Sequence, residues 1–579
     1  MADPLIPVEV WAPRASSLNA VLADGRRVPL TRVPDRDGLW RTRLPAGTDY
    51  RLSVDGGAPY PDPRSRWQPA GVHGPSRVFD PAAHIWADTD WPGVDVLGKV
   101  FYELHVGTFT PEGTLDAAAA RLPHLAALGV DLVELMPLAA FDGARGWGYD
   151  GVDLYAVHEA YGGPAALQRF VDAAHAHGLG VCLDVVYNHF GPAGNYWSHF
   201  GPYLTSKHTT PWGDAMNLDD EGSEGVRAFI IDNALAWIED FHVDALRLDA
   251  IHALVDESTE PLVAQLAAAV HALGARLGRP ASVTAESDLN DARLVAPPPA
   301  GDGVDAQWDD DVHHALHSYL TGETVGYYAD FGSPETLAKA LTRVFVHDGT
   351  FSSFRGTTWG RPVGDDVDRR RFIVSTQNHD QVGNRGLGDR PDATLAAGTV
   401  AGGAALLLLG PYTPMLFMGQ EWGTRTPFLF FTDHADELGE RIRRGRAAEF
   451  ARHGWAELYG PGLQVPDPQP PATFAASTLD WTEPGRPEHA AVLAWHRRLI
   501  ALRRQHLAGG GHPIRCDHGE GWFRMVHGPL TVLLAPHDRR VAVAEPRRRV
   551  LASFGDVVTG ADGVRLGPQA VVVLAEGPG

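Results

Sequence analysis

From about residue 98 onward, short apolar runs alternate with longer stretches in which apolar residues recur at helical spacing. The strand-like runs cover 100–104, 130–136, 179–186, 243–248, 282–285, 372–376 and 415–418, and the helical patterns cover 114–128, 164–177 and 224–241. Repeated strand-then-helix units predict parallel strands joined by crossover helices. Because roughly 380 residues hold about eight such strands, a closed (β/α)8 TIM barrel is the expected form. An open doubly wound sheet is the alternative, although the chain lacks the Gly-rich phosphate-binding sequences that such sheets often carry.

The two ends of the chain have a different pattern, with short alternating segments separated by turn residues. Residues 8–11 and 39–44 alternate near the N-terminus, and the apolar runs 530–534 and 570–574 lie near the C-terminus. Such segments are typical of small β-sandwiches. We therefore predict an N-terminal β-sandwich over residues 1–95, the (β/α)8 barrel over 96–508 and a C-terminal β-sandwich over 509–579.

The charge balance and the absence of targeting signals restrict the classes of partner. The chain has 49 Lys and Arg residues against 72 Asp and Glu residues, a formal net charge of −23. This balance disfavours nucleic acid and anionic membranes, because both reward basic surfaces. The first residues do not resemble a signal peptide, and the apolar run 400–409 is too short to span a bilayer. We expect a cytoplasmic protein that binds neither nucleic acid nor membrane.

Functional side chains of a TIM barrel gather at the carboxyl ends of its strands, where two polar clusters follow apolar runs. In the first cluster, Asp184 and His189 end one run, and a structural hydrogen-bonding role is expected for the aspartate. In the second, Arg247 and Asp249 are two residues apart and share one face of a strand. A guanidinium beside a carboxylate lowers the pKa of that carboxylate and so keeps it ionised. A buried structural ion pair is the alternative interpretation.

Two more clusters place a glutamate and a His–Asp pair at the same end of the predicted barrel. Glu286 follows the run 282–285, and a partly desolvated glutamate there can hold a proton near neutral pH. His379 and Asp380 follow the run 372–376 and could bind hydroxyl groups. Taken alone, each cluster could equally consist of solvated polar residues at the end of a strand, without a catalytic role. Together they supply the ionised and the protonated carboxyl groups that retaining glycoside hydrolysis requires, at a predicted separation of roughly 5–5.5 Å.

These four segments resemble the four conserved regions of the α-amylase superfamily of glycoside hydrolases. Trp147-Gly148-Tyr149-Asp150 is similar to a loop that lines the sugar subsite in branching and debranching members. Residues 1–95 resemble the carbohydrate-module-like domain of those members. Three further stretches, 61–76, 102–110 and above all 427–434, are similar to the malto-oligosyltrehalose trehalohydrolase family.

The resemblance implies hydrolysis of the α-1,4 bond next to the terminal trehalose of malto-oligosyltrehalose, downstream of a malto-oligosyltrehalose synthase. It implies Asp249 as nucleophile, Glu286 as acid/base and Asp380 as transition-state stabiliser. The substrate-binding residues that we predict are Tyr149, Asp150, His189, Trp212, Arg247, His252 and His379. This chemistry requires no cofactor. No metal is expected either, since adjacent side chains in the run 309–311 should point in different directions.

Two other functions fit parts of the same pattern. A 1,4-α-glucan branching enzyme forms the same glycosyl-enzyme but passes the sugar to a hydroxyl group rather than to water. A non-catalytic glucan-binding protein belongs to another class, and it would bind without turnover. The 427–434 run favours the trehalohydrolase, and the intact set of carboxylates disfavours a non-catalytic relative.

Overall fold

The computed structural model describes residues 4–434, 436–452, 458–460, 462–545, 548–560 and 562–576. Its centre is a closed barrel of eight strands, in which the last strand pairs in parallel with the first. This confirms the predicted (β/α)8 barrel and excludes the open sheet. The barrel strands are Phe101–Leu104, Leu132–Leu135, Gly180–Val185, Ala245–Leu248, Ser282–Ala285, Ala306–Trp308, Phe372–Ser375 and Thr413–Phe417.

Two local features of the barrel differ from the sequence-based predictions. The sixth strand, Ala306–Trp308, has three residues, and Gln307 interrupts its apolar pattern, so no run of the predicted length marks it. The single helix predicted over 114–128 is wrong. The structure has two helices there, Leu115–Ala119 and Leu122–Leu128, with Pro123 in the first turn of the second. Proline lacks the N–H that would continue the first helix.

Helices surround the barrel, and several of them bury apolar faces against its strands or against neighbouring helices. In Ser223–Asp240 the predicted face is buried, including Phe229, Trp237 and Ile238. Each large apolar side chain removed from water in this way contributes roughly 1.5–3 kcal/mol. The other long helices are Gly163–Ala176, Leu262–Leu277, Asp310–Thr321, Pro334–Arg343, Ala397–Leu408, Asp436–Arg452 and Pro487–Leu507.

Antiparallel sheets flank the barrel at both ends of the chain, as predicted for the fold class. The N-terminal sheets contain Leu5–Trp11, Leu39–Pro45 and Thr31–Arg32 in one layer, and Arg27–Pro29, Leu18–Leu22, Asp49–Val54 and Ser76–Arg77 in the other. The C-terminal sheets contain Ile514–Gly519, Trp522–His527, Leu530–Ala535, Ala570–Ala575 and Arg549–Phe554, and then Val541–Val543, Gly563–Leu566 and Val557–Gly560. The domain boundaries at 95/96 and 508/509 stay predictions.

Two further observations concern the helices and the cysteines. Among the described residues, no helix combines the length and the apolar character needed to cross a membrane. Cys182 lies in the third barrel strand and is buried, and Cys516 lies in the C-terminal sheet; neither forms a disulfide. Burial raises the pKa of both thiols, which fits inert core positions.

Candidate active site

Asp249 directly follows the fourth barrel strand and therefore lies at the carboxyl end of the barrel. One carboxylate oxygen accepts a hydrogen bond from Arg247 Nη1 at 2.9 Å, and the other accepts one from Asn188 Nδ2 at 2.7 Å. The residue is 9% exposed. Two donors therefore fix the orientation of a carboxylate that still has acceptor capacity facing the cleft.

The guanidinium of Arg247 joins three carboxyl groups at this end of the barrel. Besides Asp249, it donates from Nη1 to Asp184 Oδ2 at 2.7 Å. Its Nη2 lies 2.8 Å from Glu286 Oε2, an ion pair without the alignment of a hydrogen bond. The side chain is fully buried and lies over the ring of Trp308, 4.3 Å from its centroid. One buried cation thus holds the two predicted catalytic carboxyl groups close together.

Asp184 links this cation to the loop that carries Tyr149. The Tyr149 hydroxyl donates to Asp184 Oδ2 at 2.7 Å. Burial raises the pKa of Asp184 to about 7, although Arg247 lowers it. The hydrogen bonds from Arg247 and Tyr149 thus offset part of the cost of burying this carboxyl group.

His379 begins a short helix, His379–Gly383, directly after the seventh strand, and two carboxylates surround its ring. Nδ1 is 2.5 Å from Glu103 Oε1, and Nε2 is 3.6 Å from Asp380 Oδ2. Burial lowers the pKa of His379, but Asp380 and Glu103 outweigh it and raise the pKa to about 10. The ring is therefore a cation at neutral pH, and it stacks on Tyr149 at a centroid distance of 5.1 Å.

The chain is similar to known proteins over most of its length. The family model "Alpha amylase, catalytic domain" matches residues 79–210. The malto-oligosyltrehalose trehalohydrolase of Arthrobacter ramosus is 54% identical over 98% of this chain and 99% of its own. That of Mycobacterium tuberculosis (strain ATCC 25618 / H37Rv) is 50% identical over 90% of this chain and 91% of its own.

The chain belongs to the malto-oligosyltrehalose trehalohydrolase family. A crystal structure of a candidate α-amylase from Salmonella typhimurium also matches, with a TM-score of 0.88 and 37% identity over 99% of this chain and 98% of that chain. The matched lengths include the barrel and the sheets at both ends. The resemblance predicted from the sequence is thereby confirmed along the whole chain.

The 427–434 segment, which the sequence analysis linked most specifically to the trehalohydrolase family, packs on the loop that contains Tyr149. Trp147 stacks on Phe428 at 5.2 Å and donates from Nε1 to the Leu429 carbonyl at 3.0 Å. His434 Nε2 lies 3.3 Å from Asp150 Oδ2. The predicted ligand Asp150 therefore has a structural partner, and its contact with substrate stays a prediction. The 427–434 segment thus packs against the loop that contains Tyr149.

Gly148 is the residue that allows this loop to turn toward the barrel. Its φ is 102°, in the left-handed region, and a Cβ atom there would lie 2.3 Å from the Pro137 carbonyl oxygen. Only glycine fits that approach without moving the backbone. The turn therefore sets the position of the neighbouring Tyr149 side chain above Asp184.

The remaining predicted substrate ligands lie around the edge of the cleft. Trp212 is 52% exposed, and its ring stacks on His189 with centroids 4.3 Å apart and planes at 4°. His189 Nε2 is 3.0 Å from the Tyr149 carbonyl oxygen, and burial lowers the pKa of the ring. His252 is exposed, and its Nδ1 accepts from the Asp288 amide at 3.3 Å. The structure brings all three to the same end of the barrel, and their contact with sugar stays a prediction.

Several residues that position the site were missed from the sequence. Glu103 holds His379, Asn188 holds Asp249, and Trp308 lies under Arg247. Glu103 could have been found by the rule that identified Asp184, because both are carboxylates inside apolar strands. Asp288 and Arg355 also form an ion pair beside Glu286. The two residues are 67 positions apart, so only the folded chain shows the pair.

Proposed function

We propose that this chain hydrolyses the α-1,4-glucosidic bond adjacent to the terminal trehalose of malto-oligosyltrehalose and releases trehalose with retention of configuration. The observation that carries the proposal is the contact of one Arg247 guanidinium with both Asp249 and Glu286. Two carboxyl groups that share a guanidinium are close, and retaining enzymes hold theirs roughly 5–5.5 Å apart. The similarity to named trehalohydrolases supports this choice of substrate.

In the first half of the reaction Glu286 acts as the acid and Asp249 as the nucleophile. Glu286 gives its proton to the glycosidic oxygen, and the bond between that oxygen and the anomeric carbon breaks. An Asp249 carboxylate oxygen forms a bond to the same carbon, which gives a glycosyl-enzyme and free trehalose. Arg247 and Asn188 hold the nucleophile aligned for the attack.

In the second half water replaces trehalose in the cleft. Glu286, now a carboxylate, takes a proton from the water, and the resulting oxygen attacks the anomeric carbon and releases Asp249. Asp380 stabilises the positive charge that develops on the sugar ring in both transition states. His379 and Tyr149 orient the hydroxyl groups of that ring, and His189, Trp212, Asp150 and His252 contact the chain around it.

A product analysis with three substrates tests the proposal. The protein is incubated separately with maltopentaosyl trehalose, maltoheptaose and amylose, and the products are separated by chromatography. We expect free trehalose and maltopentaose from the first substrate, and little action on the other two. Nuclear magnetic resonance during the first minutes should show the α-anomer at the new reducing end, because two inversions give net retention.

Two results would reject the proposal in favour of the alternatives. New α-1,6 branches in amylose without trehalose release would indicate a branching enzyme with the same covalent step. Binding of malto-oligosyltrehalose without any product would indicate a glucan-binding protein. Initial release of the β-anomer would reject the retaining mechanism alone. Glu286→Gln is the matched variant, since it keeps the size of the side chain and removes the proton that the leaving group needs.

The remaining proposals concern the setting of the reaction. We infer that a malto-oligosyltrehalose synthase supplies the substrate and that the protein works in the cytoplasm. The proposed chemistry needs no cofactor, because the two carboxyl groups provide both the proton and the nucleophile. The acidic charge of −23 suits a neutral sugar substrate better than a polyanion.

A further inference from the structure

Residues 61–76, called the connecting segment below, have no role in the reaction described above, although their sequence resembles the trehalohydrolase family. They connect neighbouring strands of one N-terminal sheet and contact the barrel at Val72, which is 1% exposed and packs with Ala140 and Val152. At Gly194, a Cβ atom would lie 2.3 Å from Val72 Cγ2. The connecting segment therefore packs against two loops, which follow the second and the third barrel strand.

His73 directly follows Val72 and is the exposed part of this contact, with 55% of its side chain accessible. Its Nδ1 lies 2.7 Å from the Tyr196 hydroxyl, and its carbonyl oxygen accepts from Arg51 Nη2 at 2.9 Å. Its Nε2 is 3.6 Å from Asp142 Oδ1, which is too far for a direct hydrogen bond. His73, Tyr196 and Asp142 thus meet at the surface from three separate parts of the chain, and we call them the outer polar group.

Aromatic packing holds the outer polar group in place. The ring of Tyr60, from the N-terminal domain, stacks on His199 with centroids 3.8 Å apart and planes at 12°. The same ring stacks on Tyr196 at 5.3 Å. Since Tyr196 is held by its ring and His73 by its backbone and Nδ1, a ligand that binds them restricts few additional side-chain rotations.

Two loops run side by side from the attacked sugar to the outer polar group. His189 Nε2 lies 3.0 Å from the Tyr149 carbonyl oxygen, and further along the Gly191 amide donates to the Gly151 carbonyl oxygen at 3.1 Å. Val152, which packs on the connecting segment, is three residues from Tyr149. The Cα atoms of Val152 and Tyr149 are therefore at most about 11 Å apart. The outer polar group is thus a continuation of the cleft.

The position of Glu286 indicates which part of the substrate lies on this side. Glu286 follows the fifth strand and protonates the oxygen of the departing trehalose, so the sugar chain that stays on Asp249 extends the other way. In the ring of eight strands the first lies opposite the fifth, and the loop that contains Asp142 follows the second. The outer polar group therefore lies on the side of the retained glucan chain.

We propose that His73, together with Tyr196 and Asp142, forms a subsite for a glucosyl unit of the malto-oligosyl chain, beyond the unit that Asp249 attacks. With the Tyr196 hydroxyl donating to Nδ1, His73 Nε2 carries the N–H. A sugar hydroxyl between the two side chains accepts from Nε2 and donates to the Asp142 carboxylate, which disfavours an anionic ligand. The proposal rests on the proposed function, and it gives the N-terminal domain a part in substrate binding.

The first test is the kinetics of His73→Ala on a series from glucosyl trehalose to maltopentaosyl trehalose. The shortest substrate has no unit at the subsite, so its kcat/KM should not change. For the longest, KM should rise about three- to tenfold at constant kcat, because one hydrogen bond is lost equally from the ground state and the transition state. His177→Ala is the matched control, since His177 is exposed and follows the helix Gly163–Ala176 at the amino end of the barrel. Its kinetics should equal those of the unchanged protein.

Calorimetry gives a second measurement that needs no turnover. In the Glu286→Gln background, the Kd of maltoheptaose should be about three- to tenfold higher with His73→Ala, whereas the Kd of maltose should not change. Tyr196→Phe keeps the stacked ring and removes only the hydroxyl that orients His73. It should weaken maltoheptaose binding in the same direction and by less.

The outcomes separate this proposal from the proposed function. An equal loss of kcat/KM at every chain length would overturn the subsite, because a structural disturbance of the cleft does not depend on the length of the substrate. An unchanged Kd of maltoheptaose in His73→Ala would overturn it as well. No trehalose from the unchanged protein would reject the proposed function, and the calorimetry would then decide on the subsite alone.

Discussion

The fourth barrel strand, Ala245–Leu248, has an aspartate directly before it and another directly after it. Asp244, at the amino end, is fully buried and accepts hydrogen bonds from Trp91 Nε1 at 2.7 Å, Val181 N at 2.9 Å and Arg279 Nη1 at 3.2 Å. His175 Nε2 is a fourth partner, at 2.9 Å. Asp249, at the carboxyl end, has two side-chain donors and faces the cleft.

The comparison shows how position in the barrel decides what a carboxylate does. Asp244 uses its whole acceptor capacity of about four bonds on one helix residue, one strand residue and two loop residues, so it has none left for chemistry. Asp249 accepts only two side-chain hydrogen bonds, so a carboxylate lone pair remains available to attack the anomeric carbon. Residues at the amino end of a TIM barrel serve stability, and residues at the carboxyl end serve the reaction. The predictions below test that division.

The largest effect is expected at Asp249. Asp249→Asn should lower kcat for trehalose release by about 10⁴-fold, because an amide cannot form the glycosyl-enzyme, whereas its size and its hydrogen bond to Arg247 are kept. The thermal midpoint should fall only modestly, because the amide NH₂ of the variant faces the Asn188 donor at a position that is open to the cleft. Initial rates and an unfolding curve of the same preparation measure both quantities. A residual rate within tenfold of the unchanged protein would mean that another group attacks.

The opposite result is expected at Asp244. Asp244→Asn places an amide NH₂ among buried donors and leaves His175 and Arg279 with less negative charge, at a cost of about 3 kcal/mol in the free energy of unfolding. Activity per folded molecule should stay within a factor of about three. Denaturant unfolding followed by tryptophan fluorescence measures the loss. If Asp244→Asn kept its free energy of unfolding but had a hundredfold lower kcat, the amino end of the barrel would also serve the reaction.

Glu103 tests whether a fully buried residue near the carboxyl end still acts on the reaction. Glu103→Gln keeps an acceptor for the His379 amide but removes the charge that helps to raise the pKa of His379 to about 10. The charged ring stabilises the fold fully below pH ~6.5, and this stabilisation disappears as pH rises through about 10. We therefore expect about tenfold lower kcat/KM at pH ~8, and a Tm loss that shrinks as pH approaches 10.

Glu134→Gln is the control, because Glu134 is also buried and lies one strand away. An equal loss of kcat/KM in that variant would contradict the specific role of Glu103.

The order of the barrel elements could be predicted from the sequence because seven of the eight strands are apolar runs. The sixth strand could not, since three residues with a glutamine at the centre carry no periodicity. The side chains of Asp309, Asp310 and Asp311 have different hydrogen-bond partners, as predicted for adjacent residues.

Contacts of the candidate site could be predicted from the sequence where both residues lie in the same short stretch of chain. Arg247 and Asp249 share a strand face, so their contact follows from local geometry. The packing of His434 on Asp150 joins residues 284 positions apart, and only the folded chain shows it. Nothing in the residues of the 427–434 segment indicated which loop it would contact.

The smallest effect is expected at the edge of the cleft, where Trp212 is exposed and stacked on His189. Trp212→Ala removes a flat apolar face that can pack on a sugar ring, and such contacts are worth about 0.5–1.5 kcal/mol. Since the contact is the same in the ground state and the transition state, KM should rise about three- to tenfold while kcat stays unchanged. Trp212→Phe, which keeps an aromatic face, should recover most of the affinity. A fall in kcat at constant KM would show instead that Trp212 acts through His189 on the reacting sugar. The stacked pair would then belong to the catalytic centre rather than to the edge of the cleft.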